Sequence, residues 1–480
     1  MAAQPEFTDA RLGIVRGISY GLFGKPDQFV PQARRLGAGI LRVYFFWSQI
    51  EPRPGEYTWN AVDALLDQLD GDAEVWITLC SSSPWATRTP TDFLPPSPAL
   101  DVRTYAEFVR RTVEHCGGRV RYWQCDNEPS NTALLWSGTA DEYLAQLKAM
   151  HSAVKAADPD AVVVLGGCGY DLLSSPTDSE QRRFFDRVAD GGRDAFEVFD
   201  VHLYGDPYCI PEYVETARAL MLAHKYLKPV MAGEYSGPSL LEFPEVEAEL
   251  QSALAQAFAA PPAPQSTKSL AAQTTQDTPE RRAMKALYAR MADLPPKVQM
   301  FMDGCPPDLE AKRHRIACRQ LVTRNVLALA NGIRRTLYWN LAPEVPGPVD
   351  RYILMALLVG KLPLMDYRGT SLEVRYPEAE TFELMSKHLQ GVERVTPVQT
   401  ENADVFAFRV DRAAREPVYV VWDRRDAFDG ESESPREVAL PWPSGTAQAV
   451  DAFGVTCEAR VQSGEVRLQV TDTPVFVSST

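Results

Sequence analysis

Eight short apolar runs alternate with amphipathic, helix-like stretches over the first three-quarters of this 480-residue chain, and that alternation restricts the fold more than any other feature. The runs are Ile14 to Ser19, Ile40 to Trp47, Glu74 to Leu79, Val120 to Asn127, Ala161 to Gly166, Phe196 to Tyr204, Val230 to Glu234 and Arg335 to Asn340. Between them, Ala61 to Leu69, Thr104 to His115, Ala140 to Ala157, Arg182 to Val188, Pro211 to Tyr226 and Cys318 to Leu329 carry helical spacing, with Asp158-Pro159 and Asn331-Gly332 as stop signals. Strands that alternate with helices pair in parallel through right-handed crossovers. Eight such units predict an α/β chain built on a (β/α)8 TIM barrel. The rival is a doubly wound open sheet, which usually carries a glycine-rich phosphate loop after its first strand. Gly17-Ile18-Ser19-Tyr20-Gly21 is not such a loop.

After Lys361 the texture changes. Val405 to Val410, Pro417 to Trp422, Glu437 to Leu440, Ala447 to Ala452, Glu465 to Val470 and Val475 to Ser478 are short strands parted by Gly, Pro and Asp turns. The expected organisation is a barrel over 1–362 and a C-terminal antiparallel β-sandwich over 363–480. A long insertion, about 238–315, separates the seventh strand from its helix. Its middle, Ala259 to Thr267, is rich in Ala, Pro, Gln and Thr and predicts a mobile tip. Its flanks, Val246 to Phe258 and Pro279 to Met291, have helical spacing. On the carboxyl face of a barrel such an insertion serves as a lid or subsite wall, or as an oligomer contact.

The net charge of −15, from 49 basic and 64 acidic residues without a basic stripe, argues against nucleic acid or an anionic membrane as partner. No apolar run approaches the roughly 20 residues of a membrane helix. The start, Met1 to Phe7, lacks the basic segment and apolar core of a signal peptide, so the expected location is cytoplasmic; a trimmed secreted chain would read the same. The eight cysteines are scattered and read as reduced thiols, with Cys305 and Cys318 the one pair left open to bonding.

Chemistry concentrates at strand ends, which share one face in a parallel barrel. The fourth strand ends in Asp126-Asn127-Glu128-Pro129, and the seventh in Gly233-Glu234-Tyr235. Strands four and seven lie across the mouth from each other. Two carboxyls about 5–5.5 Å apart suit double displacement. Each glutamate alone reads equally as a solvated charge, and Asn127 as a turn former. The sixth strand puts Asp200, His202 and Tyr204 on one face by its period of two. There His202 and Tyr204 can bond the carboxylates; a lone histidine would be a satisfied core residue. Arg42 on the second strand is a core-edge ion-pair residue by default, and aimed at Glu234 it would keep that group ionised. Trp339 offers an aromatic floor for a sugar ring, or a core tryptophan. Six histidines, of which only His202 stands at a strand end, make a poor metal-ligand set.

Together, Asn127-Glu128-Pro129, Gly233-Glu234-Tyr235, His202-x-Tyr204, Arg42 and Trp339 resemble the clan A glycoside hydrolases. Trp47 to Pro52 followed by Pro54 to Trp59 is similar to that clan's second βα loop, and Val470 to Val477 to the β-sandwich tail of several members. The nearest likeness is to the β-xylosidase/α-L-iduronidase family and related bacterial exopolysaccharide hydrolases. Asp126 and the insertion after Glu234 depart from the pattern. The resemblance implies a retaining glycosidase without cofactor or metal, with Glu128 as acid/base, Glu234 as nucleophile and Asn127 on the sugar 2-hydroxyl. It also implies Trp47, Trp85, Trp136, Tyr170 and Tyr235 as candidate sugar platforms. The expected partner is an oligosaccharide, polysaccharide or glycoside, and homo-oligomer contact stays open. The rivals are a non-catalytic carbohydrate-binding barrel, a metal-dependent barrel hydrolase and a transglycosylase using the same carboxylates.

Overall fold

The computed structural model describes residues 7–174, 178–257, 265–268, 276–347 and 350–479. Strands β1 (Arg11–Val15), β2 (Ile40–Phe46), β3 (Glu74–Cys80), β4 (Tyr122–Cys125), β5 (Val162–Val164), β6 (Phe199–Leu203), β7 (Val230–Tyr235) and β8 (Arg335–Tyr338) form one parallel sheet. Their order is β5-β4-β3-β2-β1-β8-β7-β6. Parallel bridges from Val164 to Val198 and from Cys168 to Val201 join the two ends and close the barrel. Alternate side chains fill its interior, with Ile40, Trp76, Tyr122 and Leu337 below and Tyr44, Phe46, Cys80 and Trp339 nearer the carboxyl ends. The intervening residues, such as Val43, Phe45, Ile77 and Trp123, pack outward against the helices. This is the filled double core of a (β/α)8 barrel.

The surrounding helices are α1 (Phe29–Arg35), α2 (Asn60–Asp67), α3 (Val102–Cys116), α4 (Ala140–Ala157), α5 (Glu180–Gly191), α6 (Ile210–Ala223), α7 (Pro307–Ala330) and α8 (Pro377–His388). Their ends follow local chemistry. Thr139 and Glu142 form a reciprocal capping box on α4, and Asp101 caps α3 by accepting from the Arg103 amide. Several boundaries differ from expectation. β1 stops at Val15 because Gly17 takes φ 109, and β4 stops at Cys125 because Asp126 takes φ 52, neither being extended backbone. α7 begins eleven residues before the expected Cys318, inside the supposed insertion. Its first turns look solvent-facing in sequence, yet Arg313 is buried on Glu378 of α8 and Glu310.

The eighth barrel helix lies beyond residue 362, where the barrel was expected to end. α8 packs apolar Ala379, Phe382 and Met385 into the same core as the barrel helices, and Ser386 approaches so near Gly37 that a Cβ there would sit 2.8 Å away. Its signature was present in the sequence: Pro377 at the first turn, Glu378 and Glu380 beside it, Lys387 and His388 in the last turn.

The C-terminal strands form a six-stranded and a three-stranded antiparallel sheet. The strands foreseen are present, joined by Val392–Pro397, Thr456–Cys457 and Ala459–Gln462. Val405, Tyr419, Val421, Leu440 and Leu468 fill the sandwich between the sheets. The outer face of the larger sheet is apolar too: Phe408, Val420, Trp422 and Phe476 continue the barrel's core. The Trp422 indole donates to the Tyr208 hydroxyl at 2.9 Å.

The insertion builds a satellite core. Helices Pro244–Ala257 and Pro279–Ala289 enclose Val246, Leu250, Met284 and Leu287 with Phe301, Ile316 and Leu354. Most of the tip expected to be mobile lies outside the described residues. Its described end is tied down: Gln265 exchanges backbone hydrogen bonds with Leu94, and the Thr267 hydroxyl donates to Asp92 at 2.6 Å. All eight cysteines are free thiols, Cys305 and Cys318 included. Among the described residues no helix is long and apolar enough to cross a membrane.

Trp422 is fully buried where sheet meets barrel. Trp422→Ala is expected to cost about 3–5 kcal/mol. Urea denaturation should show the loss in one cooperative transition; two separate transitions would show that barrel and sandwich are not coupled through this contact.

Candidate active site

Strands β3, β4 and β7 and the turn after β4 meet around one buried guanidinium carried by β2. Arg42 is fully buried on β2. Its Nη1 donates to the Gly233 carbonyl at 3.0 Å and Glu234 Oε1 at 3.1 Å. Nη2 donates to Gln124 Oε1 at 2.6 Å and Asn127 Oδ1 at 2.8 Å, and Nε to Thr78 Oγ1 at 3.1 Å. Burial opposes the charge of Arg42, but Tyr44, Glu234 and Asp200 outweigh it and raise its pKa. The residue therefore stays a cation.

Glu234 is surrounded by donors. Besides Arg42, the Tyr44 hydroxyl reaches Oε1 at 2.6 Å and the Tyr204 hydroxyl reaches Oε2 at 2.8 Å. Burial, then the charge of Arg42 and Glu234, act on Tyr44, and the net effect holds its hydroxyl well above the usual tyrosine range; Tyr204 is shifted the same way by burial and by Glu234. Both hydroxyls keep their protons. A carboxylate that accepts from three donors is arranged as an anion.

A bulge decides that Glu234 faces inward. β6 and β7 pair Asp200 with Met231 and Val201 with Ala232, then His202 with Glu234, so Gly233 is the extra residue. Without it, strict alternation would turn Glu234 outward with Ala232, toward the helices. A side chain at Gly233 is excluded, since its Cβ would lie 2.4 Å from Asp200 Oδ1. Asp200 holds the bulge by accepting from the Gly233 amide at 2.6 Å.

His202 joins the two glutamates. Nδ1 lies 2.6 Å from Glu128 Oε1 and 3.4 Å from Glu234 Oε2, and Nε2 lies 3.3 Å from Asp200 Oδ2. Burial pushes its pKa down, but Glu234, Asp200 and the hydrogen bonds to Asp200 and Glu128 push it up to about 10. Protonated, both ring nitrogens donate. The ring packs on backbone, because a Cβ at Gly167 would sit 2.2 Å from Nε2. Oxygens of Glu128 and Glu234 and a nitrogen of His202 lie within 4.8 Å of one another, a spacing a metal ion also accepts.

Glu128 stands where β4 has ended, at φ 40, with its side chain 19% exposed. Asp126, without an assigned place in the sequence, anchors that turn. It is fully buried and accepts from the Ser81 amide at 2.7 Å and from Gln146 at 3.0 Å. Burial raises its pKa, and the bonds from Ser81 and Gln146 pull it back to about 7.

The structure thus brings Arg42, Asn127, Glu128, His202, Tyr204 and Glu234 together, with Trp339 nearby at 6.0 Å from the Tyr44 ring, edge to face. The other aromatics lie elsewhere. Tyr235 points outward and its hydroxyl accepts from Asn325 of α7 at 2.7 Å, because the bulge that turns Glu234 in turns Tyr235 out. Trp47 is fully buried and stacked on Phe108, with Trp85 against its edge and the Trp85 indole donating to the Glu51 carbonyl. Trp136 is buried on Tyr143, and Tyr170 sits edge-on to Tyr213. Sequence reading missed Tyr44, Thr78 and Gln124. Tyr44 was findable, lying two residues from Arg42 and so on the same face of β2.

No protein-family model and no curated protein sequence matches the chain. Solved structures do. A family 39 glycoside hydrolase from Bacteroides cellulosilyticus superposes with TM-score 0.62 at 13% identity, over 100% of this chain and 83% of that one. The chain shares the fold of clan A glycoside hydrolases. A monomeric β-xylosidase from Caulobacter crescentus gives 0.57 at 13% identity, over 99% and 97% of the two chains. A family 51 α-L-arabinofuranosidase from Bifidobacterium longum gives 0.57 at 9% identity, over 100% and 98%.

Arg42→Gln is expected to cost about 3–5 kcal/mol in urea denaturation, because it leaves Glu234 buried without its counter-charge. A loss below 1 kcal/mol would remove Arg42 from its central place. His202 gives a pH test. Its folded pKa of about 10 lies above the ordinary 6.5, so its stabilising contribution is complete below pH about 6.5 and is lost as pH rises toward 10. The stability gap between the wild type and His202→Gln should shrink over that window, and a flat gap would refute the charged histidine.

Proposed function

We propose that the chain is a retaining glycoside hydrolase that cleaves an O-glycosidic bond, the β-linked bond being the favoured reading. The observation that carries this is the pair Glu128 and Glu234, whose oxygens lie within 4.8 Å of each other across the barrel mouth. Retaining pairs sit about 5–5.5 Å apart, whereas inverting pairs stand about 6.5–9.5 Å apart to admit a water. The shared fold with structures described as a family 39 glycoside hydrolase and a β-xylosidase supports the same reading.

On this reading Glu234 attacks the anomeric carbon as the bond to the glycosidic oxygen breaks, and Glu128 gives its proton to that oxygen. Arg42, Tyr44 and Tyr204 fix the rotamer of Glu234 by donating to both of its oxygens. Asn127 accepts from Arg42 through Oδ1, which leaves its amide N–H groups to meet the sugar 2-hydroxyl, where contacts tighten in the oxocarbenium-like transition state. Formation of the glycosyl–Glu234 ester removes one negative charge beside Glu128. Glu128 then takes a proton from the incoming water, which returns the sugar with its configuration retained.

Glu234→Gln and Glu128→Gln should each abolish turnover of an activated aryl glycoside. Azide should rescue Glu128→Ala and yield a glycosyl azide of retained configuration. Full activity in either Gln variant overturns the assignment.

A further inference from the structure

A second buried arginine stands behind the site. Arg324, on α7, is 1% exposed, and its Nη2 pairs with Glu242 Oε1 at 2.6 Å. Glu242 ends the short turn Leu240–Glu242 at the root of the insertion, where Leu240 and Phe243 belong to the satellite core. Gln320, one turn earlier on α7, joins the pair. Its Oε1 accepts from Arg324 Nη2 at 3.1 Å, and its amide donates to Glu242 Oε2. Glu242 balances the charge of Arg324, as a buried cation requires. The guanidinium also reaches further. Nη1 donates to the Leu203 carbonyl at 3.0 Å and Nη2 to the Gly205 carbonyl, and these residues stand immediately before and after Tyr204. The chain beyond Glu234 rests on the same group, since a Cβ at Gly237 would lie 2.1 Å from Gln320 Oε1.

What this clamp holds is a donor to Glu234. Tyr204 lies just past the last residue of β6, and the chain turns away at once, Gly205 taking φ 78. A Cβ at Gly205 would sit 2.3 Å from Tyr170 Cε2, so the Tyr170 ring packs on that turn. Oε1 of Glu234 has two donors, Arg42 and Tyr44. Oε2 has the Tyr204 hydroxyl at 2.8 Å, while His202 Nδ1 stands farther off at 3.4 Å and meets Glu128 at 2.6 Å. Moving the backbone of Tyr204 would therefore free one oxygen of the carboxylate and let it turn. We propose that Arg324 is a positioning residue for the nucleophile, gripping the chain on both sides of Tyr204 so that its hydroxyl meets Glu234 Oε2. Through Glu242 the root of the insertion becomes part of that support. The inference rests on the reading of Glu234 as nucleophile above and adds to it a residue that touches neither substrate nor reacting atoms.

Arg324→Met alone strands Glu242 as a buried charge, so the test also uses Arg324→Met/Glu242→Gln, which removes both charges together. Each is made in the full-length protein, with Tyr204 and with Tyr204→Phe, and verified as folded by its melting transition. The substrate is whichever 4-nitrophenyl glycoside the wild type cleaves. With Tyr204 present, kcat should fall about 100-fold, the scale of a small misplacement at a reacting group, while KM changes little. In the Tyr204→Phe background the same change should cost little more, because the hydroxyl it positions is gone. An equal fold loss in both backgrounds, or wild-type kcat in a folded variant, overturns the proposal. NMR of protein labelled with carbon-13 at the tyrosine Cζ reads the contact without turnover. The Tyr204 resonance, assigned by its loss in Tyr204→Phe, should move in Glu234→Gln and again in Arg324→Met/Glu242→Gln. A resonance unmoved in the latter overturns the proposal whether or not a glycoside is cleaved. Full activity of Glu234→Gln defeats the glycosidase reading instead, and the resonance then decides by itself whether Arg324 holds Tyr204.

Discussion

The mouth of this barrel depends on a cation that water cannot reach. Arg42 brings its guanidinium into the interior, at an effective cost of several kcal/mol in lost hydration, and regains it only because every N–H direction it uses meets a fixed acceptor. Those acceptors come from β3, β4 and β7 and the turn after β4. Removing one side chain would leave another charge or amide stranded at low dielectric, so the network is determined as a set. Its outcome is one geometry for Glu234 and Asn127, held before any substrate arrives. That is the preorganisation on which charge stabilisation in a closed site relies.

Backbone irregularities aim the pair. On β7 the extra residue at Gly233 shifts the register by one and turns a glutamate from the helix side to the interior. On β4 the positive φ values of Asp126 and Glu128 end the strand and lift the carboxylate above the layer of Gln124. Each departure is supported by buried polar contacts, Asp200 under the bulge and Ser81 with Gln146 under the turn. Strain at such positions persists only when the surroundings over-determine it.

Much of this was legible in one dimension. The alternation of apolar runs and helices predicts the barrel, and strands Glu465–Val470 and Val475–Ser478 and helix Ala140–Ala157 fall at the residues their patterns indicate. Asn127, Glu128, His202, Tyr204 and Glu234 were selected from strand-end position and residue type, and Arg42, early in the second strand, from the family resemblance. The aromatics fared differently. Trp47, Trp136 and Tyr235 have the composition of sugar platforms, and whether a ring faces a cavity or a helix depends on register, which residue type does not carry. α7 was begun too late because its buried charges look like surface, and α8 was passed over because the change of texture at 361 drew the boundary too early.

Short-range physics is written in the chain: strand and helix periods, caps, breakers, and the residue types that can do acid–base work at a strand end. These determined the fold class, the order of its elements and the chemistry that its carboxylates and donors support. What tertiary structure alone decided is which of those groups meet. Closure of the barrel sets β4 opposite β8 and brings residues far apart in sequence to the same histidine. The bulge at Gly233 sets which way Glu234 looks, and Asp92 and Leu94 set where the segment 265–268 docks. The reason is that side-chain direction and loop docking follow from contacts between distant segments, and a one-residue shift in register reverses them without any change in the local pattern.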